Sequence, residues 1–144
     1  MDRFVDIENI SFLDFKNDKA VYDLVSYFLQ KGKSKICILA GSESFSCETK
    51  AVSGYRKALE EHHIVVNSEN IIRTHLTKEA GFRSCLMYLQ KKKPDVIITT
   101  SHSVTLGVME SLLVMGYHIP KDISIATLGE DNWDKLNNFQ HVIS

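Results

Sequence analysis

Three short apolar runs constrain what this chain can fold into. "KICILA" (35–40), "DVIITT" (95–100) and "DISIATL" (122–128) are near-continuous in apolar residues. Strands covered on both faces read this way, as they do in parallel sheets. The segments between them carry helical spacing instead. Over 18–31, Val21, Leu24, Val25, Phe28 and Leu29 follow the i, i+3, i+4, i+7, i+8 series of one buried face, and Gly32 supplies the stop. Over 48–61 the set is Ala51, Tyr55, Ala58 and Leu59; over 78–92, capped by Thr77, it is Phe82, Cys85, Leu86 and Leu89. A fourth helix is expected over 103–115, ended by Gly116. "ISFLDF" (10–15), before a cap at Asn17, and "NIIRTHL" (70–76) complete the strands. The order β-α-β-α-β-α-β-α-β predicts an α/β fold: a doubly wound parallel sheet with right-handed crossovers and helices on both faces.

Bulk composition fits one such domain. The chain has 144 residues, 44% of them hydrophobic and 24% charged. Its 17 Lys and Arg against 18 Asp and Glu, well mixed, give a net charge of −1, which is not the footprint of a nucleic-acid-binding surface. No apolar run is long enough to cross a bilayer. "MDRFVDIENI" has neither the basic start nor the apolar core of a secretory signal. Cys37, Cys47 and Cys85 are odd in number and lack C-x-x-C spacing, which argues for a reducing, cytoplasmic setting and against a disulfide or structural zinc scaffold. Cys37 sits in a strand run and reads as a small buried hydrophobe. His62 and His63 follow a helix end and read as solvent-facing. Lys91, Lys92 and Lys93 read as a solvated helix C-terminus favoured by the helix dipole.

In doubly wound sheets ligands sit beyond the carboxyl ends of the strands. Here those ends are Gly41–Ser46, Leu76–Thr77, Ser101–His102 and Gly129–Asp131. The turn "GSESFSCETK" is neither a P-loop, having no Gly-Lys pair, nor a dinucleotide fingerprint, lacking the second and third glycines. It offers Ser42, Ser44 and Ser46, the ring of Phe45 and a helix N-terminus. Those groups suit a neutral polar ligand such as a sugar, or an anion on backbone N–H groups; an ordinary capped turn would look the same. Ser101-His102 departs from G-x-S-x-G, and no acid partner is identifiable, so a plain polar contact is expected rather than catalysis. "LGEDNWD" (128–134) gathers Glu130, Asp131 and Asp134 around Trp133. It ranks first as a solvated loop, second as a polar-ligand site and third as a metal site. No cofactor and no metal are expected.

The helix at 103–115 is apolar nearly all round, with Thr105, Glu110 and Ser111 its clear polar positions. Such a helix is buried on more than one face. A partner subunit or a second domain would cover the surplus, as would a central place in its own layer.

These landmarks together resemble the effector-binding domain of the LacI/GalR family of bacterial transcription regulators. They are the "KG-x-x-x-I" lead-in to the first strand, "GYRKALEE", "T-x-E-x-G", "KPDVIITTS", "S-x-x-LGVMESL-x-x-MG" and "IPKDISI", in order over more than a hundred residues. The resemblance implies a periplasmic-binding-protein-like subdomain that clamps a small effector, often a sugar or nucleotide-derived compound. By it, 1–32 is the last strand–helix unit of an N-terminal subdomain, 33–135 the C-terminal effector-binding subdomain, and 136–144 a crossover back. It implies a homodimer through the helix at 103–115, with Leu106, Met109 and Leu113 at the interface. It also implies contact with DNA only through a helix-turn-helix domain outside these 144 residues, and no contact with a membrane.

The ligand positions depart from the family. Its arginine three residues before the Gly of "GY" is Ala51 here, with Lys50 beside it. Its aromatic at the second strand end is Leu76. Its Asn/Asp-Asp at the third is Ser101-His102. Its Asp after the last strand is Gly129, followed by Glu130 and Asp131, and its Asp-Asn pair near the start is Lys16-Asn17. With Ser44 and Ser46 of the turn, the effector-binding set is therefore Ser44, Ser46, Ala51, Leu76, Ser101, His102, Gly129 and Glu130. Each lost charge-assisted contact weakens a sugar site by about 1.5–3 kcal/mol, so a different effector, a weak one or none is expected. The expectation is a sensing and dimerising module, not an enzyme. A sugar-binding protein of a transport system, which shares the fold, is the alternative.

Overall fold

The computed structural model describes residues 10–119, 121–127 and 142–143, with only the backbone for 10–17 and 142–143. The elements run α1 (Ile10–Gln30), β1 (Ile36–Ala40), α2 (Ser46–Glu61), β2 (Ile71–Arg73), α3 (Lys78–Leu89), β3 (Val96–Thr99), α4 (His102–Met115), β4 (Ser124–Thr127) and β5 (Val142–Ile143). A short 3₁₀ turn, Ser68–Asn70, leads into β2. All pairings are parallel, in the order β2-β1-β3-β4-β5. The doubly wound parallel sheet expected from the apolar runs is therefore the fold. Val142–Ile143, in the segment expected to be the crossover, pairs with Ile125 and Ala126.

The period of two along each strand divides the core into two layers. Ile36, Ile38, Val96, Ile98 and Ala126 face α1 and α2, where they meet Val21, Val25, Phe28, Ala51, Tyr55 and Leu59. Cys37, Leu39, Ile97 and Ile125 face α3 and α4, against Cys85, Leu89, Val104, Val108, Met109 and Leu112. Both helix pairs close through glycine. A Cβ on Gly54 would stand 2.0 Å from the Asp18 carbonyl oxygen of α1, and one on Gly107 would stand 2.2 Å from the Lys78 carbonyl oxygen of α3. The surplus apolar surface of α4 is thus largely absorbed within its own layer. What is left over lies at its end, where Leu113 and Val114 are 67% and 64% exposed.

Several local expectations are corrected. "ISFLDF" is not a strand; α1 is one continuous helix from Ile10, and Asn17 lies inside it. No Gly or Pro interrupts 10–30, Asn costs a helix only a few tenths of a kcal/mol, about 0.7 at most, and a six-residue apolar run has no period that separates strand from helix. The third helix ends at Leu89, so Lys91, Lys92 and Lys93 follow it rather than close it. Lys92 pairs with Glu69 at 2.8 Å, and Lys93 lies over the Tyr117 ring. Of the two histidines, His63 is exposed with a φ of 63°, but His62 is half-buried, with Nδ1 2.8 Å from the Ala58 carbonyl oxygen.

Candidate functional site

The carboxyl ends of β1, β2 and β3 lie side by side, because β1 pairs with both of its neighbours in parallel. Each delivers a polar loop to the same edge of the sheet. After β1 the chain turns through Ser42–Phe45 before α2 begins. Phe45 occupies the N-cap position, so no side-chain oxygen caps the helix. The turn is held from inside instead. The Ser44 N–H donates to Ser42 Oγ (3.1 Å), the two hydroxyls lie 2.9 Å apart, and the Thr49 hydroxyl donates to the Glu43 carbonyl oxygen (3.0 Å).

Glu48, in the first turn of α2, is the link between two strand ends. Only 5% exposed, it accepts from the Gly41 N–H (2.7 Å) and the Thr100 hydroxyl (2.6 Å). The first turn of a helix is where its dipole favours a carboxylate, and two charge-assisted hydrogen bonds offset much of the cost of burial. Cys47 places its Sγ 3.7 Å from the other carboxylate oxygen. Gly41 cannot be larger without displacing this group, since its Cβ would stand 3.0 Å from Glu48 Cγ.

Beyond β3, Ser101 caps α4, with Oγ 3.5 Å from the Val104 N–H. The Thr105 hydroxyl donates to the Ser101 carbonyl oxygen (2.8 Å) and pairs with the hydroxyls of Thr99 and Thr127, Thr127 at 3.1 Å. Thr105 Oγ1 is thus shared between the Ser101 carbonyl oxygen and two neighbouring hydroxyls. The hydroxyls beneath the third strand end are therefore structural and serve one another.

The end of β2 and the loop after it supply Arg73, Thr74, His75 and Leu76. With Ser42, Glu43 and Phe45 these line an open groove of about 670 Å³. Arg73 Nη1 donates to the Gly41 carbonyl oxygen (2.8 Å), while Nη2 lies 3.9 Å from the exposed Glu43 carboxylate. Phe45 and Leu76 are partly exposed apolar walls.

The expected effector residues fall into three groups. Leu76 lines the groove, and Ser44 is tied to it through Ser42. Ser46, exposed, opens α2; Ser101, buried, and His102, half-buried, stand at the neighbouring strand end. Ala51 is fully buried in the core between α2 and the sheet and presents no surface to the groove. Gly129 and Glu130 lie outside the described residues, as do Asp131, Trp133 and Asp134; Lys16 and Asn17 are described only in their backbone. Arg73, His75, Glu43 and Glu48 were not expected here. The signal for the first two was present in "IIRTHL", where a cation and an imidazole alternate at a strand's carboxyl end. Among the described residues no group of three or more His, Cys, Asp and Glu side chains gathers to hold a metal.

Of the expected interface residues, Leu113 is exposed, Leu106 is half-buried, and Met109, 2% exposed, belongs to the core of its own chain.

Residues 2–143 match the family described as periplasmic binding proteins and sugar-binding domain of the LacI family. The chain belongs to this family. Among curated LacI-type relatives, the probable repressor ExuR of Bacillus subtilis is 27% identical over 126 residues, 87% of this chain and 38% of that protein. The repressor CytR of Escherichia coli K12 is 30% identical over 119 residues, 82% of this chain and 34% of that protein. The chain thus spans little more than a third of the length of these relatives. A solved regulatory protein of the LacI family from Chloroflexus aggregans, 23% identical, superposes with a TM-score of 0.81 over 88% of this chain and 46% of that one. The likeness fixes the fold of this LacI-type effector-binding domain.

Proposed function

We propose that this chain is the ligand-sensing and dimerising part of a LacI-type transcription regulator. Its effector is a small polar, sugar-like molecule held against the carboxyl ends of β1, β2 and β3. Binding shifts a two-state equilibrium that reaches DNA through a separate helix-turn-helix domain, in the cytoplasm. The observation that carries this reading is the open strand-end groove, which sets the polar side chains of Ser42, Glu43, Arg73, Thr74 and His75 beside the apolar walls of Phe45 and Leu76. Pockets of about 300–1,000 Å³ are the usual size for small ligands. The relatives named as repressors favour a regulator over a transport protein and over an enzyme. The exposed Leu113 and Val114 at the end of α4 suit a second copy of the chain.

A thermal-shift screen against sugars, sugar phosphates and nucleosides tests this. A ligand that binds only the native state at about a hundred times its Kd adds about 2.7 kcal/mol of stability. A selective rise in melting temperature with one compound class is expected. A flat response to every class would remove the sensing role.

A further inference from the structure

We propose that the groove beside β2 takes the anionic group of a sugar derivative, a carboxylate or a phosphate, with Arg73 as its charge partner and His75, Ser42 and Thr74 around it. The proposal rests on the effector reading above and names the chemical class of that effector.

Arg73 is the centre of this site. Its side chain is 29% exposed and lines the groove at the carboxyl end of β2. The bond from Nη1 to the Gly41 carbonyl oxygen fixes the guanidinium plane without neutralising it, because a carbonyl carries no net charge. Among the described residues the carboxylate paired with it, Glu43, stands 3.9 Å away with its side chain 80% exposed. An ion pair so long and so wet contributes little. The buried Glu48 is engaged with the Gly41 N–H and the Thr100 hydroxyl. A guanidinium presents five donors in a planar fork that matches carboxylate and phosphate oxygens in pairs. With one arm anchored, the remaining donors are pre-set for an anion on the groove side.

The rest of the lining fits a sugar acid or sugar phosphate better than a bare ion. The His75 ring adds a hydrogen-bonding group at the rim, and the Ser42 and Thr74 hydroxyls line it while engaged inside the fold, Ser42 with Ser44 and Thr74 with the His75 carbonyl oxygen and Ser84. Phe45 and Leu76 give apolar walls for the C–H face of a pyranose or furanose. A neutral sugar in the same place would displace water from a half-buried cation and give it no charge in return. That is how a site built around one charged partner rejects the analogue that lacks it.

The test is a ¹H–¹⁵N NMR titration of the 144-residue chain at fixed ionic strength with glucose, glucuronate and glucose 6-phosphate as probes. Glucuronate, glucose 6-phosphate or both are expected to shift the amides of Ser42, Arg73, Thr74 and His75, with glucose at least tenfold weaker. Arg73→Gln is expected to weaken the anionic probe at least tenfold. Arg73→Lys, which keeps the charge and loses the fork, should fall between. His75→Gln at an exposed position should weaken it two- to threefold with an unchanged spectrum elsewhere. Arg83→Gln, an exposed arginine on α3, should change nothing. Response to the carboxylate alone or the phosphate alone identifies which anion is the effector's. Glucose binding as well as the anionic probes, or Arg73→Gln leaving a folded chain that binds them unchanged, overturns the proposal and leaves a sugar-sensing module standing. Silence with all three probes overturns the proposal together with the sugar reading.

Discussion

Glu48 shows how much a single buried carboxylate does in this domain. It joins the turn after β1 to the end of β3 through Gly41 and Thr100. Truncating it leaves a buried N–H and a hydroxyl without their acceptor, which costs about 1–3 kcal/mol. Glu48→Ala should lower unfolding stability by that amount in urea, and Glu48→Gln, which keeps one acceptor oxygen, by clearly less. Equal losses in the two variants would mean that the hydrogen bonds do not hold the turn. The cysteines give a second prediction. Cys37 and Cys85 are buried, and burial pushes their thiols up, Cys85 to about 11. Cys47 is the more accessible of the three. Alkylation of the native chain should therefore modify Cys47 first, the other two reacting only on denaturation. The sign for pH follows from the raised value. A thiol held neutral in the fold contributes stability that is complete below its unfolded pKa and is lost as pH rises through the folded one. Unfolding stability should fall between about pH 9 and about pH 11, and Cys85→Ala should flatten that fall.

At the scale of elements, two helix pairs approach closely enough that a methyl group does not fit. Gly107→Ala would drive a Cβ into the Lys78 carbonyl oxygen, and overpacking of this kind costs about 1–3 kcal/mol. Thermal unfolding should show it, whereas Gly116→Ala would be strained for a different reason, its φ of +82°. The helices and strands with a clean period were legible from the sequence within one to three residues, because their burial obeys that period on both faces of one sheet. The exception is instructive. The six residues 10–15 carry apolar side chains without a period, and the absence of a breaker before Gly32 decides in favour of helix. The character of α4 was read from composition, but its cause was only half visible. Two glycines let α3 take most of its apolar surface, and Gly81 and Gly107 reveal a crossing only once the helices are placed. The remainder, Leu113 and Val114, sets a further prediction. Leu113→Asp should shift a dimer to monomer in sedimentation equilibrium, and an unchanged mass would place dimerisation, if any, away from this end of α4.

For the whole molecule, the fold separates two kinds of surface. The strand bodies and the inner helix faces form two closed core layers. The carboxyl strand ends carry the groove, the carboxylate link and the turn hydroxyls. The topology rule located that edge from the sequence. It did not supply Arg73 or His75, since a three-residue edge strand has too short a pattern to show which side chains reach the groove. Nor did a family position translate into a ligand position at Ala51, which the packing of α2 on the sheet takes into the core. The proposed sensing face is the row of carboxyl strand ends. The most direct measurement is ¹H–¹⁵N shift mapping with whichever compound of the sugar, sugar phosphate and nucleoside screen raises the melting temperature most. Perturbed amides are expected in 41–46, 74–77 and 100–103. Perturbations concentrated instead at the opposite strand ends, around Lys33, Lys93 and Lys121, or a screen in which no compound raises the melting temperature, would contradict it.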